Sequence, residues 1–249
     1  MLEEVDSYFL RSLFKSHSKT STAFLHLETA TWPIKFIIAS RRLNFLHNIL
    51  KRNTNEVLLR VYKAQKESPL KGDFANLIKT DFELIEETYD ENFVTSMSKN
   101  QFKAFIKRKM SKAVFKYLLE EKEKLSKLEN ISYNKFKIQK YLKSKLLSDY
   151  QVQILSKLRS RNINVKANFK TKFTFNDIPK LECSIDGCDE QENQQHILKC
   201  KPLLAKLDTI QKTIVNKIKY EDIYSEVKKQ RIVTDVFIAL LDIQIEEAK

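Results

Sequence analysis

Cys183, Cys188, His196 and Cys200 follow the spacing C-x4-C-x7-H-x3-C and lie within 18 residues, CSIDGCDEQENQQHILKC. All three cysteines of the chain fall there. Three thiolates and an imidazole are the donors that tetrahedral Zn²⁺ takes, and four protein ligands leave no position for a reacting water. The expectation is one structural zinc ion held by these four side chains. Two readings compete with it. The residues could be three reduced, partly buried thiols that pack as small apolar groups. They could also form a Cys–His nucleophile pair, but no Asn or Asp is placed to orient the imidazole. An odd cysteine count inside one ligand-like cluster also argues against a secreted disulfide framework.

The second kind of chemistry is cationic. Forty-five Lys and Arg oppose 32 Asp and Glu, a net charge of +13, which predicts attraction to polyanions, nucleic acid before anionic membrane. Between Lys99 and Lys145, fifteen basic residues face four glutamates. There Phe102, Ile106, Met110, Ala113 and Tyr117 form one helical stripe, with Arg108, Lys112 and Lys116 opposite and Lys107 beside Arg108. The reading is a phosphate-contacting face; a merely solvated lysine face is its alternative. Arg41 and Arg42 suit a phosphate clamp on a rigid helix, or an internal pair with a carboxylate such as Glu28. Arg159, Arg161, Lys166 and Lys170 alternate with polar residues before the Cys–His cluster. Tyr133, Phe136, Ile138 and Tyr141 interleave with lysines, as base stacking or a core stripe requires.

These side chains need helices to position them. With two glycines and four prolines among 249 residues, the chain cannot supply many tight turns but suits long helices. Val5, Phe9 and Leu13 predict an amphipathic helix over 3–16. Pro33 opens a helix over 34–50 that is apolar on nearly all sides and therefore buried. Further helices are expected over 54–66, capped by Asn53 or Thr54, and over 73–91, 98–128, 148–160, 202–219 and 231–246. The last turns Val233, Phe237, Leu240 and Leu241 inward. No run of eighteen apolar residues predicts a membrane span, and MLEEVDSYFL lacks the basic start of a secretory signal. The expectation is an intracellular all-α protein, a multi-helix bundle with a small CCHC zinc-knuckle module near the C-terminus.

Catalytic motifs are absent from the sequence. No phosphate-binding glycine loop, dinucleotide fingerprint or H-E-x-x-H string occurs. Nor do paired aspartates sit on a strand turn as a polymerase palm needs. Asp242 and Glu246 share one helix face, and a cryptic nuclease built on them is the weakest of three readings.

Four strings resemble, in their order, one known arrangement. FLHLETATWPIKFIIASRRLNFLHNIL (24–50), VYKAQKESPLKGDF (61–74), SKLENISYNKFKIQKYL (126–142) and LRSRNINVKANFKTKF (158–173) precede the Cys–His cluster. Together they resemble the C-terminal region of reverse transcriptases of non-LTR (LINE-type) retrotransposons, downstream of the palm. The resemblance covers nearly the whole chain. It implies a thumb-like segment over 1–66, a basic connector over 67–180, and a zinc knuckle with C-terminal helices over 181–249. By position, Arg41 and Arg42 match the family's double arginine, and Arg159 with Arg161 match the arginines before its knuckle. Cys183, Cys188, His196 and Cys200 match the knuckle's ligands. The family knuckle usually has fewer residues between its first two cysteines and four between histidine and last cysteine; here four and three occur. Palm aspartates and an endonuclease are not in this sequence. The resemblance thus implies a grip on RNA or DNA without polymerase activity, beside a palm in cis or trans, with no membrane and no small-molecule substrate. The alternative is an interaction module that docks onto a separate polymerase or another protein.

Overall fold

Helix starts are written locally in this chain. Asp73 and Asp90 accept hydrogen bonds from the backbone N–H groups of Asn76 and Asn92. Ser98 with Gln101, and Ser148 with Gln151, exchange side-chain and backbone bonds reciprocally, so four helices open with orphan donors satisfied. A computed structural model describes residues 2–52, 56–163, 174–175, 178–179, 181–207 and 209–247. Its helices are α1 (Leu2–Leu13), α2 (Thr22–Thr29), α3 (Ile34–Leu50), α4 (Val57–Glu67), α5 (Phe74–Leu84), α6 (Glu91–Ser96) and α7 (Lys99–Glu123). They continue with α8 (Lys140–Lys143), α9 (Asp149–Arg159), α10 (Gln194–Ile197), α11 (Lys201–Ala205), α12 (Thr209–Val215) and α13 (Val227–Glu247). Thr174–Phe175 pairs antiparallel with Ile178–Pro179, and a 3-10 turn spans Tyr220–Tyr224. The fold is the expected mostly helical one, with a Cys–His module towards its C-terminal end.

Several boundaries differ from the expectation. The helix expected over 73–91 stops at Leu84, because Glu86 takes a left-handed φ of 58°. The helix expected over 202–219 divides into α11 and α12. Thr22–Thr29 is helical although its polar approach, SHSKTSTA, reads as a break. On α1 the buried residue is Leu10, while Val5, Phe9 and Leu13 are exposed. Arg11 bonds to the Thr20 carbonyl and the Thr22 hydroxyl, and with Leu10 it turns that apolar stripe outward. The expected caps Asn53 and Thr54 lie outside the described residues.

The chain divides into two compact units, residues 1–7 with 30–121, and 8–29 with 122–249. The cuts at 66 and 180 are those that the family resemblance implies, and they do not follow from this compactness. In the first unit α3 packs against α5, α6 and α4. Phe36, Ala39, Leu43, Leu46, Ile78, Phe82, Val94, Phe102, Ile106 and Met110 fill its core. On α7 the buried stripe runs Phe102, Ile106, Met110, Val114, Leu118. Strict four-residue steps wind it slowly around the helix, so Ala113 and Tyr117 end half-buried. The Arg42 guanidinium forks onto buried Asp81 at 2.6 and 2.7 Å, stapling α3 to α5.

In the second unit α9, α13 and the 3-10 turn form the centre. Its apolar core joins Leu155, Leu158, Ile197, Leu203, Ile223, Val233, Phe237 and Leu240. Beside it lies a fully buried carboxylate, Glu28 of α2, which accepts from Arg159 at 2.9 and 3.2 Å. The Tyr133 hydroxyl donates to the same carboxylate, and Arg159 also donates to the Ile223 carbonyl at 3.2 Å. Tyr133 and Tyr141 are therefore interior residues, as the core-stripe reading requires. Replacing Arg159 by Met leaves Glu28 buried without a counter-charge, and the expected loss is about 3–5 kcal/mol in denaturant unfolding. Adding Glu28→Leu to that variant should recover much of the loss.

Candidate metal centre and cationic surfaces

A short hairpin-like turn and two helix starts bring the Cys–His residues together. Glu182 bridges antiparallel to Gln191, and the Cys183 N–H donates to the Glu190 carbonyl at 2.8 Å. Gly187, with φ of 77°, closes the turn that lets the Cys188 N–H reach the Ile185 carbonyl. At that φ any larger side chain is strained. The Asn193 side chain caps α10 by accepting from the Gln195 and His196 N–H groups, which fixes His196 one turn in. Cys200 is the N-cap of α11, with Pro202 in its first turn.

The four ligand atoms all lie within 4.8 Å of one another. Cys183 Sγ is 3.9 Å from Cys200 Sγ, and Cys188 Sγ is 3.4 Å from His196 Nε2. A four-coordinate cation with bonds of about 2.3 Å to sulfur and 2.0 Å to nitrogen needs edges of about 3.8 and 3.5 Å. The four side chains could therefore hold one metal ion. His196 Nδ1 lies 3.0 Å from a Glu190 carboxylate oxygen, which orients the ring with Nε2 towards the thiols. Burial pushes the Cys183 thiol up to about 12, and the neighbouring Cys200 sulfur adds to the rise. Burial raises the Cys200 thiol as well. Both are protonated at neutral pH until a cation displaces their protons.

No family model, curated protein or solved structure matches this chain.

The basic residues singled out by spacing separate into several environments. Lys107, Arg108 and Lys112 are exposed on α7, as is Arg41 on α3. Lys116 is exposed and paired with Glu86, while the neighbouring Lys109 pairs with Glu87. Two arginines leave the proposed surface. Arg42 is committed to Asp81, and Arg159 is 5% exposed, held by Glu28 with its guanidinium 5.4 and 5.3 Å from the Tyr141 and Tyr224 rings. A buried carboxylate demands a forked cation, so these arginines serve the interior. The pairing partner of the double arginine is thus Asp81, not Glu28. Lys166 and Lys170 lie outside the described residues. Asp242 is exposed on α13, and the Glu246 side chain is not described, so the two are not seen to form a site.

Arg161 is half-buried, 4.0 Å from a Glu129 carboxylate oxygen, and has basic neighbours that no spacing reveals. Its φ is 51°. It stands just past α9, where its N–H meets the Leu158 carbonyl and the Asn162 N–H meets that of Lys157. This left-handed helix end favours glycine. Lys19, Lys124 and Lys127 line a cavity of about 300 Å³ with Ser21, Ser126, Ser160 and Asn162. Burial lowers the Lys127 ammonium, and the charges of Lys19 and Arg161 lower it further. Lys19 lies more than a hundred positions from Lys124, which is why sequence reasoning overlooked the cluster.

Titrating metal into chelator-treated protein at neutral pH should release at least two protons per ion bound, read by pH-stat. Cys200→Ala should abolish that release. Hydrogen exchange after chelation should rise over 181–205 and leave α3, α5 and α7 protected.

Proposed function

We propose that this chain is a nucleic-acid-binding module with one architectural zinc ion, which corresponds to the thumb-to-knuckle portion of a non-LTR retrotransposon reverse transcriptase. One observation carries the binding reading. Lys99, Lys103, Lys107, Arg108 and Lys112 are all exposed on α7, and no acidic residue occurs between Lys99 and Leu119. At 1.5 Å rise per residue these cations span about 20 Å. That is the length of about six phosphates along one strand. A stiff row of cations at this pitch neutralises a backbone without reading bases.

Zinc is the cation that the donor set favours. Three sulfurs and one nitrogen at tetrahedral edges suit its borderline-soft, spherical d¹⁰ shell, and the closed set gives it a structural role. The ion's task is to hold the short elements around 183–205 in place rather than to activate water. In this reading the arginines carried over from the family divide: Arg161 contacts phosphate, and Arg159 positions the helix that carries it.

One observation favours the second reading, an interaction module. Leu2, Val5, Tyr8, Phe9 and Leu13 of α1 are 59–74% exposed. Such an apolar stripe suits a protein face.

Fluorescence anisotropy with a single-stranded 20-mer should show log affinity falling with log salt at a slope of about −0.7 per phosphate neutralised. The triple reversal Lys107→Glu, Arg108→Glu, Lys112→Glu should flatten that slope by about two units. Binding that ignores salt would end the proposal. Arg161→Gly should raise stability by about 0.5–1 kcal/mol by relieving the left-handed strain, and should weaken binding. Thermal melts and anisotropy on one preparation measure both.

A further inference from the structure

The lysine-rich cavity of the second unit gathers cations from separate stretches of chain. Lys19, Lys124 and Lys127 line about 300 Å³ together with the hydroxyls of Ser21 and Ser126, and none of the described residues that line it is acidic. Lys19 stands on a turn closed by the Thr20 N–H on the His17 carbonyl at 2.9 Å. Arg11 pins that turn by donating to the Thr20 carbonyl at 3.1 Å. Lys127 lies in a 3-10 turn, Ser126–Leu128, anchored by buried Leu128, and Lys124 leads into it. Like charges held together repel. The charges of Lys19 and Arg161 add to burial in lowering the Lys127 ammonium, so the backbone keeps cations close against that repulsion.

The lining selects the kind of anion. Each ammonium brings three N–H donors on a point charge, without the planar fork that pairs with a carboxylate. Ser21 accepts the Phe24 N–H at 3.4 Å, which leaves its hydroxyl hydrogen to donate. It stands directly before α2, where helix amides favour negative charge. On the opposite wall, the Ser156, Lys157 and Leu158 carbonyls are met by the N–H groups of Ser160, Asn162 and Arg161. Those bonds blunt the negative pole of α9. Donors converging from several sides suit a compact tetrahedral oxyanion of more than one charge. A phosphomonoester carries about −1.5 to −2 near neutral pH and has three acceptor oxygens, whereas a singly charged backbone phosphodiester meets fewer of these donors. The volume is at the small end of ligand sites, about 300–1,000 Å³, which suits a headgroup rather than a large body.

We propose that the Lys19–Lys124–Lys127 cavity is a binding site for a phosphomonoester dianion. The phosphate belongs either to the end of a nucleic-acid strand or to a small free phosphomonoester. The first source rests on the nucleic-acid reading above; the second does not. In both cases the cavity differs from the α7 row in what it recognises: a terminal phosphate rather than a run of backbone charge.

The test titrates inorganic phosphate into the full chain at neutral pH and constant ionic strength, read by amide chemical shifts. In parallel it compares single-stranded 12-mers that end in a phosphate, at either end, with the same strand ending in hydroxyls. Phosphate shifts should gather at 19–21 and 124–128, and a terminal phosphate should tighten strand binding about tenfold. Both effects should vanish in the double variant Lys19→Gln, Lys127→Gln. These lysines are exposed and repel one another, so its thermal midpoint should not fall. Ser126→Glu, which puts a carboxylate on the wall, is the second variant and should act the same way. Lys107→Gln with Lys112→Gln removes equal charge from α7 and should weaken all strands alike, leaving the tenfold ratio intact. Phosphate shifts at the cavity with equal affinity for the strands would support the site and assign it to a free phosphomonoester. Those shifts without any strand binding would support the cavity while the nucleic-acid reading fails. Equal strands with no phosphate shifts at these residues would overturn the cavity proposal and leave the α7 reading standing. A preference that survives both cavity variants would overturn it as well, and binding of neither strand nor phosphate would overturn both readings.

Discussion

A buried carboxylate sets the terms for the second unit. Glu28 is fully enclosed, and an ion taken out of water is tolerable only with its charge and lone pairs met. Arg159 meets both oxygens across 131 positions of sequence, and Tyr133 adds a third donor. The Gln139 N–H also donates to the Glu28 backbone carbonyl at 2.9 Å. α2, the loop before α8, and α9 are therefore tied at one point. Through the Ile223 carbonyl the tie extends to the 3-10 turn that packs on α13.

The two units solve the problem of stability differently. In the first, helices of eleven to twenty-five residues bury long apolar stripes, and packing alone can hold them. Around the Cys–His cluster, α10 and α11 have four and five residues. Helices that short do not persist on their own, since nucleation outweighs the few hydrogen bonds gained. A cation held by the four side chains would supply what packing there lacks, and Ile197, Leu198 and Leu203 tie the module into the core of the second unit.

The buried carboxylates Asp81 and Glu28 are each met by an arginine, although Arg41, Arg52, Arg60, Arg108 and Arg231 are exposed. Arg42 and Arg159 meet buried carboxylates with forked bonds, and Arg11 bonds to backbone and hydroxyl oxygens. Lysines populate the exposed side of α7. A guanidinium carries several donors in a fixed plane and is weakly hydrated, whereas an ammonium prefers water.

Much was legible from composition and local pattern. Scarce glycine and proline determined a helical chain. Helical patterns beginning at 98 and 148 marked two helix starts, and four metal-type ligands in 18 residues marked a centre whose members are close in sequence. These signals are short-range, so the residues that make them carry the information themselves. Only the tertiary structure decided which arginine faces which carboxylate, because Arg42 and Asp81, or Glu28 and Arg159, meet through the packing of distant helices. The same holds for the outward stripe of α1 and for Lys19 beside Lys124 and Lys127. Spacing along a chain reports neighbours on one helix; it is silent about neighbours brought together by burial.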